Sequence, residues 1–294
     1  MSGHTTELAA LAFGLSGASF APWTEAAFMG GLSPISPVLL AEAPLPSADA
    51  APPPPAGTVP LVRAGGSACP AGTRLVEGVH HEYVQRLCTD FRAHQCWRWH
   101  PGLVALEPRA TPISVCIDVY EWPNQEGAMP PVMMSFLEAS ASCASVGKRL
   151  CTEFEWELAC EGPETWPFPY GHSHVAGACN NDKPYKGYSQ KKLSSKDPRV
   201  REAETQRLYQ AEPSGSRPRC TSPYGVVDLV GNVEEWVLTS RPEWPYESSL
   251  KGGYWAKAWS GCRGTNDSHG PLFRFYDIGF RCCTAPSASA PASG

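Results

Sequence analysis

At 294 residues and a net charge of −5, the chain can hold one large domain plus extra segments, and it offers no general surface for nucleic acid. Trp, Tyr, Gly and Pro are plentiful and long helical periodicities are absent, which excludes a helical bundle or a doubly wound sheet and points to a loop-rich α+β or β fold. Twelve cysteines without a C-x-x-C pair argue against a zinc ribbon or a thioredoxin site; they imply disulfides, and therefore export.

Residues 1–60 contain no Lys or Arg. The apolar stretch Leu8 to Phe20 resembles the hydrophobic part of a signal peptide without its basic start, and it is too short for a membrane span. From Ser33 to Pro60 the chain is a Pro/Ala-rich linker that cannot bury a core. Residues 61–115 read as a cysteine-containing extension of the main domain, with "TRLVEG" as an edge strand before a Gly turn. His80, His81, His94 and His100 have no metal-ligand spacing and read as surface histidines. Residues 285–294 read as a disordered tail.

Val115 to Tyr120 is a candidate strand stopped by Pro123-Asn124. Ser135-x-x-Glu138 is a capping box that opens a helix with Phe136, Leu137, Ser140, Cys143 and Val146 on one face, ended by Gly147. A second box, Thr152-x-x-Glu155, opens a short helix whose Phe154 and Trp156 read as core and which stops at Gly162-Pro163. Asn180, Asn181 and Asp182 are consecutive oxygen donors, so a cation site and plain Asx turns are both open readings. His172 and His174 read as loop histidines, and residues 183–218 as a polar surface excursion whose basic residues form a solvated face.

In Tyr224 to Trp236, the apolar run Val226 to Val230 is long enough for one buried strand, and Gly231-Asn232 breaks it. Asp228 and Glu235 flank that turn; on spacing alone this reads as a hairpin with two acids, with a calcium site as the sharper alternative. Cys282 and Cys283 are adjacent and are expected to reach two different partners.

The motifs "GKRLCTEFEWELAC", "FPYG…CNN", "YGVVDLVGNVEEW", "KGGYW", "CRG" and "IGFRCC" occur in that order over residues 116–284, and together they resemble the formylglycine-generating enzyme (sulfatase-modifying factor) family. The resemblance implies a C-type-lectin-like α+β fold with little regular secondary structure. It implies calcium held by the side chains of Asp228 and Glu235 and the carbonyls of Gly231 and Val233, and a second calcium loop at Asn180 and Asn181. It also implies a Cys143–Cys282 bridge, and it leaves Cys160 to pair with Cys151, Cys179 or Cys262, or to stay free.

Enzymes of the family hold Cu(I) on two thiolates and convert a sulfatase cysteine to formylglycine. Counting from Gly253, the first thiolate position holds Lys257 and the second Cys262, while Tyr254 replaces the turn serine. Thiolates suit Cu(I) and an ammonium group does not. The expected function is an exported, non-catalytic or altered relative that binds a peptide, glycan or cell-envelope partner. The alternative is a copper oxidase with Cys262 as its thiol, and a purely structural envelope module is a third class. A sulfoxide synthase of the same fold would need an H-x-x-x-H-x-E set, which this sequence lacks.

Overall fold

The computed structural model describes residues 68–92, 95–106, 109–241, 245–258 and 260–287. The leader-like stretch, the linker, His94 and the end of the tail lie outside them.

Two antiparallel strands, β1 (Thr73–His81) and β4 (Ala110–Asp118), pair along their whole length. Between them in sequence β2 (Val84–Arg92) and β3 (Gln95–Leu106) form a separate two-stranded ribbon, closed by the Cys88–Cys96 bridge. The predicted strand at "TRLVEG" is thus longer than expected. Gly78 lies inside it rather than in a turn, because Tyr224 approaches there and donates its hydroxyl to the Glu77 carbonyl at 2.7 Å. The strand predicted at Val115 begins earlier and ends at Asp118.

Both capping boxes form. Ser135 caps α1 (Phe136–Ser145) and Thr152 caps α2 (Glu153–Glu161), each with its Glu three residues on reaching back to the cap amide. The buried face of α1 is narrower than expected: Phe136, Ala139 and Cys143 face inward, while Leu137 and Val146 are exposed. Helix α2 is buried on every side. Its Glu153, Glu157 and Glu161 recur every four residues and so form one stripe, which four cations and His80 meet. Lys251 reaches Glu153 and Glu157, Arg263 and Arg86 bond Glu161, Arg241 bonds Glu153, and His80 bonds Glu157 at 2.7 Å. His80 is therefore a buried partner of α2 rather than a surface histidine; strand alternation points it inward, and it stacks on Phe154.

Residues 183–218 are not a structureless excursion. They hold α3 (Gln190–Leu193) and α4 (Pro198–Leu208), the latter opened by Asp197 as cap and Pro198 in its first turn. Only Glu204, Thr205 and Leu208 of α4 are buried, so the apolar periodicity is too weak to reveal the helix.

The remaining strands are β5 (Arg149–Leu150), β6 (Glu234–Leu238), β7 (Ser248–Lys251), β8 (Thr265–Asn266), β9 (Ile278–Phe280) and β10 (Cys282–Thr284). One sheet has the order β1-β4-β10-β5 and another β8-β7-β6-β9. Val226 and Asp228 to Val230 are buried, but the run is not a strand. Asp228 and Asn232 take left-handed backbone conformations, and the segment's amides bond other loops: Val227 donates to Val119 and Asp228 to Cys220. The strand follows the Gly-Asn turn instead of preceding it.

All twelve cysteines are bridged: Cys69–Cys116, Cys88–Cys96, Cys143–Cys282, Cys151–Cys283, Cys160–Cys262 and Cys179–Cys220. The adjacent Cys282 and Cys283 diverge because neighbouring strand residues point to opposite faces. The fold is α+β, rich in loops and disulfides, and six bridges suit an oxidising compartment. Among the described residues no helix is long and apolar enough to cross a membrane.

Candidate functional site

Two places carry the residues singled out in the sequence. The first is the Gly231-Asn232 turn. Gly231 is in the left-handed region, and a Cβ there would sit 2.4 Å from the Asn180 carbonyl oxygen, so only glycine lets the two loops touch. Asn232 fastens the contact. Its amide donates to the Asn180 carbonyl at 2.7 Å, and its side-chain oxygen accepts from Asn180 at 2.9 Å and from the Glu212 amide at 2.8 Å. Its Nδ2 donates to both oxygens of the buried Glu121. Asn180, Asn181 and Gly231 are thereby brought together. Val233 instead turns its side chain into the core beside Gly279.

Glu235 has a different environment from the one its motif suggests. Arg281, fully buried, bonds both of its oxygens from Nε and one from Nη2 at 2.7 Å. Trp156 Nε1 donates to Glu235 Oε2 at 2.8 Å. The rest of the guanidinium bonds the carbonyls of Asp118, Val119 and Val227. Glu235 thus links α2 and β6 to the junction of β9 and β10, and both of its carboxylate oxygens are already bonded.

The charges around Arg281 do not balance. Glu121, Asp228 and Glu235 oppose one guanidinium. Burial, then repulsion from Asp228 and Glu235, pushes the Glu121 carboxyl well above the ordinary range. Burial raises Asp228 to about 6, although the Gly215 amide donates to it at 2.6 Å. Nearby, Asn180 Oδ1 is a buried acceptor that no donor among the described residues reaches, while the Asn181 side chain meets His174. An orphaned amide oxygen and an excess of buried carboxylate are the chemistry a hard cation satisfies. Asn180, Asn181 and Asp228 supply the oxygen donors on offer here; both oxygens of Glu235 already accept from Arg281 and Trp156.

The second place is the Gly252-Gly253 turn. Gly253 is left-handed and lies so close to Ser260 that no side chain fits. The turn delivers Tyr254, Trp255 and Lys257. Lys257 Nζ forms an ion pair with Glu234 at 2.8 Å. Cys262, expected as the candidate oxidase thiol, is instead bonded to Cys160 in the core. The pair of positions therefore holds an ammonium group and a disulfide, and neither is a Cu(I) thiolate.

Beside Lys257 is an open cavity of about 430 Å³. Tyr185, Tyr188, Tyr254 and Tyr276 line it with Phe273 and Phe275, and Glu234 and Asp277 face it. Burial, then the charge of Glu234, pushes the Asp277 carboxyl well above its usual range, with Lys257 opposing. Sequence reading missed Glu121, Arg281 and Asp277. The last two lie in "YDIGFRCC", a motif whose recognition carried a bridge but no role for its charged residues. His172 and His174 are half-buried in their loop, against Trp166 and Trp97.

Residues 115–286 match the sulfatase-modifying factor enzyme 1-like domain family. A mouse (Mus musculus) protein named inactive C-alpha-formylglycine-generating enzyme 2 is 30% identical over 171 residues, which cover 55% of this chain and 51% of that protein. A hercynine oxygenase from Mycolicibacterium smegmatis is 29% identical over 127 residues, covering 40% of this chain and 24% of its own length. This chain thus spans about half the length of the mouse relative and a quarter of the oxygenase. Among solved structures, CarF aligns over 73% of this chain and 97% of its own at 15% identity and a TM-score of 0.47. PvdO from Pseudomonas aeruginosa aligns over 71% and 92% at 18% identity and a TM-score of 0.44.

Proposed function

Because the chain belongs to the sulfatase-modifying factor enzyme 1-like family, we propose that it is a non-catalytic member, exported to an oxidising compartment, that binds a peptide or cell-envelope partner in the cavity beside Lys257. The fold class follows from the family: a C-type-lectin-like formylglycine-generating-enzyme domain.

One observation carries the reading. The two positions that hold copper in the enzymes are here Lys257, paired with Glu234, and Cys262, bonded to Cys160. A protonated ammonium group offers no lone pair, and a disulfide sulfur is not a thiolate, so the residues present do not fit Cu(I). The name of the mouse relative, an inactive enzyme, is consistent with this. The six bridges support the compartment.

The test is direct. Purified protein with Cu(I), oxygen and a sulfatase-type cysteine peptide should yield no aldehyde by mass spectrometry or hydrazide labelling. Turnover would sink the non-catalytic reading and restore the copper oxidase alternative.

For calcium, the reading assigns Asp228 with the carbonyls of Gly231 and Val233 to one site and Asn180 with Asn181 to a second, and it leaves Glu235 to Arg281. Asp228 has a folded pKa of about 6 against a reference of 3.8. Its raised value means that its stabilising contribution is complete below the unfolded value and is lost as pH rises through about 6. Calcium-free protein should therefore gain stability from this group as pH falls from 7 to about 5. Asp228→Asn should flatten that gain. Calcium should raise the melting temperature of the parent at pH 7 by mass action and that of Asp228→Asn by less. Equal calcium responses in the two proteins would count against the site.

A further inference from the structure

The cavity beside Lys257 has an unbalanced wall. Asp277 faces it and is only 5% exposed, and among the described residues no other residue's donor bonds its carboxylate; only its own amide contributes. Glu234, the second carboxylate, already holds Lys257 at 2.8 Å. His269, the other titratable base in the wall, stacks on Phe273 at 3.7 Å, and burial lowers its pKa, so it is neutral at pH 7. Two acidic side chains therefore share one ammonium group.

Aromatic rings supply the rest of the wall. Tyr188 meets Phe275 edge-on at 5.0 Å, and Phe275 lies 4.7 Å from Tyr276, which meets Tyr254. Tyr185 and Tyr188 stand at the rim, 59% and 45% exposed. Ring faces carry negative quadrupole and attract cations, more strongly where water is excluded. An anionic ligand would meet two carboxylates. A neutral ligand would leave Asp277 without a partner and favour its protonated form, whereas a cation beside it restores the carboxylate.

We propose that this cavity takes an organic cation, an alkylammonium or guanidinium group, seated among the tyrosine rings with Asp277 as its counter-ion. The proposal rests on the reading of the cavity as the partner-binding site and names the chemistry that the partner must present.

Calorimetric titration of the intact protein tests it, with choline, N-acetyl-arginine methylamide and N-acetyl-lysine methylamide as probes and 3,3-dimethylbutanol as the uncharged isostere of choline. At least one cation should bind about tenfold more tightly than dimethylbutanol. Asp277→Asn should remove about tenfold of that affinity, whereas Lys257→Met, which frees Glu234, should strengthen it. Circular dichroism establishes that each variant is folded, and Tyr185→Leu at the exposed rim gives a third variant with little structural risk. Preference for the arginine or lysine derivative supports a polypeptide side chain as the source; preference for choline supports a free amine. Equal binding of cation and isostere, or no binding of any cation, overturns the proposal. Aldehyde formation in the copper assay would overturn the non-catalytic reading and leave cation binding standing. Conversely, loss of cation preference with no aldehyde formed overturns this proposal alone.

Discussion

Glu235→Ala is expected to destabilise the fold by about 3–5 kcal/mol, equally with and without calcium. The substitution leaves the guanidinium of Arg281 buried with its remaining bonds only to carbonyls, and it orphans the Trp156 indole N–H. Removing one partner of a buried pair exposes the full desolvation cost of the other. The double substitution Glu235→Leu with Arg281→Met removes both charges together and should recover much of the loss, since apolar replacements of similar volume are often neutral. Urea unfolding of the parent and the two variants measures this. A loss seen only when calcium is present would mean that Glu235 acts as a cation ligand and not as the anchor of Arg281.

The second large effect lies at Glu157, the middle carboxylate of α2. Burial alone would push it up. Lys251, the bond from His80 and then Arg263 outweigh burial and hold the carboxyl well below its usual range. Glu157→Gln should cost about 3–5 kcal/mol at pH 7, because Lys251 stays fully buried with only the longer contact to Glu153 to balance it. The pH dependence has a definite sign. A depressed folded pKa gives stability that is present above the unfolded value of 4.5 and is lost as pH falls toward the folded one. The parent should therefore lose stability on acidification below about 4.5 more steeply than Glu157→Gln. Parallel acid limbs in the two proteins would show that Glu157 is not the group being titrated. This limb is opposite in sign to that of Asp228, so the parent should be most stable at mildly acidic pH.

The features legible in the sequence are those in which a few neighbouring residues suffice. Ser135 with Glu138 and Thr152 with Glu155 close their boxes within one turn, so both helix starts stand where the residues put them. Cys282 and Cys283 were expected to reach different partners, and they do, because adjacent residues bridge each other only with strain. The order of six short motifs identified the family. Helix α4 was missed although Asp197-Pro198 marks its start, because a helix with three buried positions has almost no periodic signature.

Tertiary structure decided the rest. Glu235 is paired by Arg281, 46 residues away in the chain, and Cys160 finds Cys262 at a separation of 102. His80 is buried because Glu157 lies beneath it, 77 residues on. Charge pairing and sulfur pairing are set by distances in space, and in a fold with so little regular structure no local period fixes those distances. The sequence alone determined the family, the helix caps and the loss of the first copper thiolate at Lys257. Whether Cys262 remained a thiol, and whether Glu235 faced a cation or an arginine, depended on which loops the folded chain brought together.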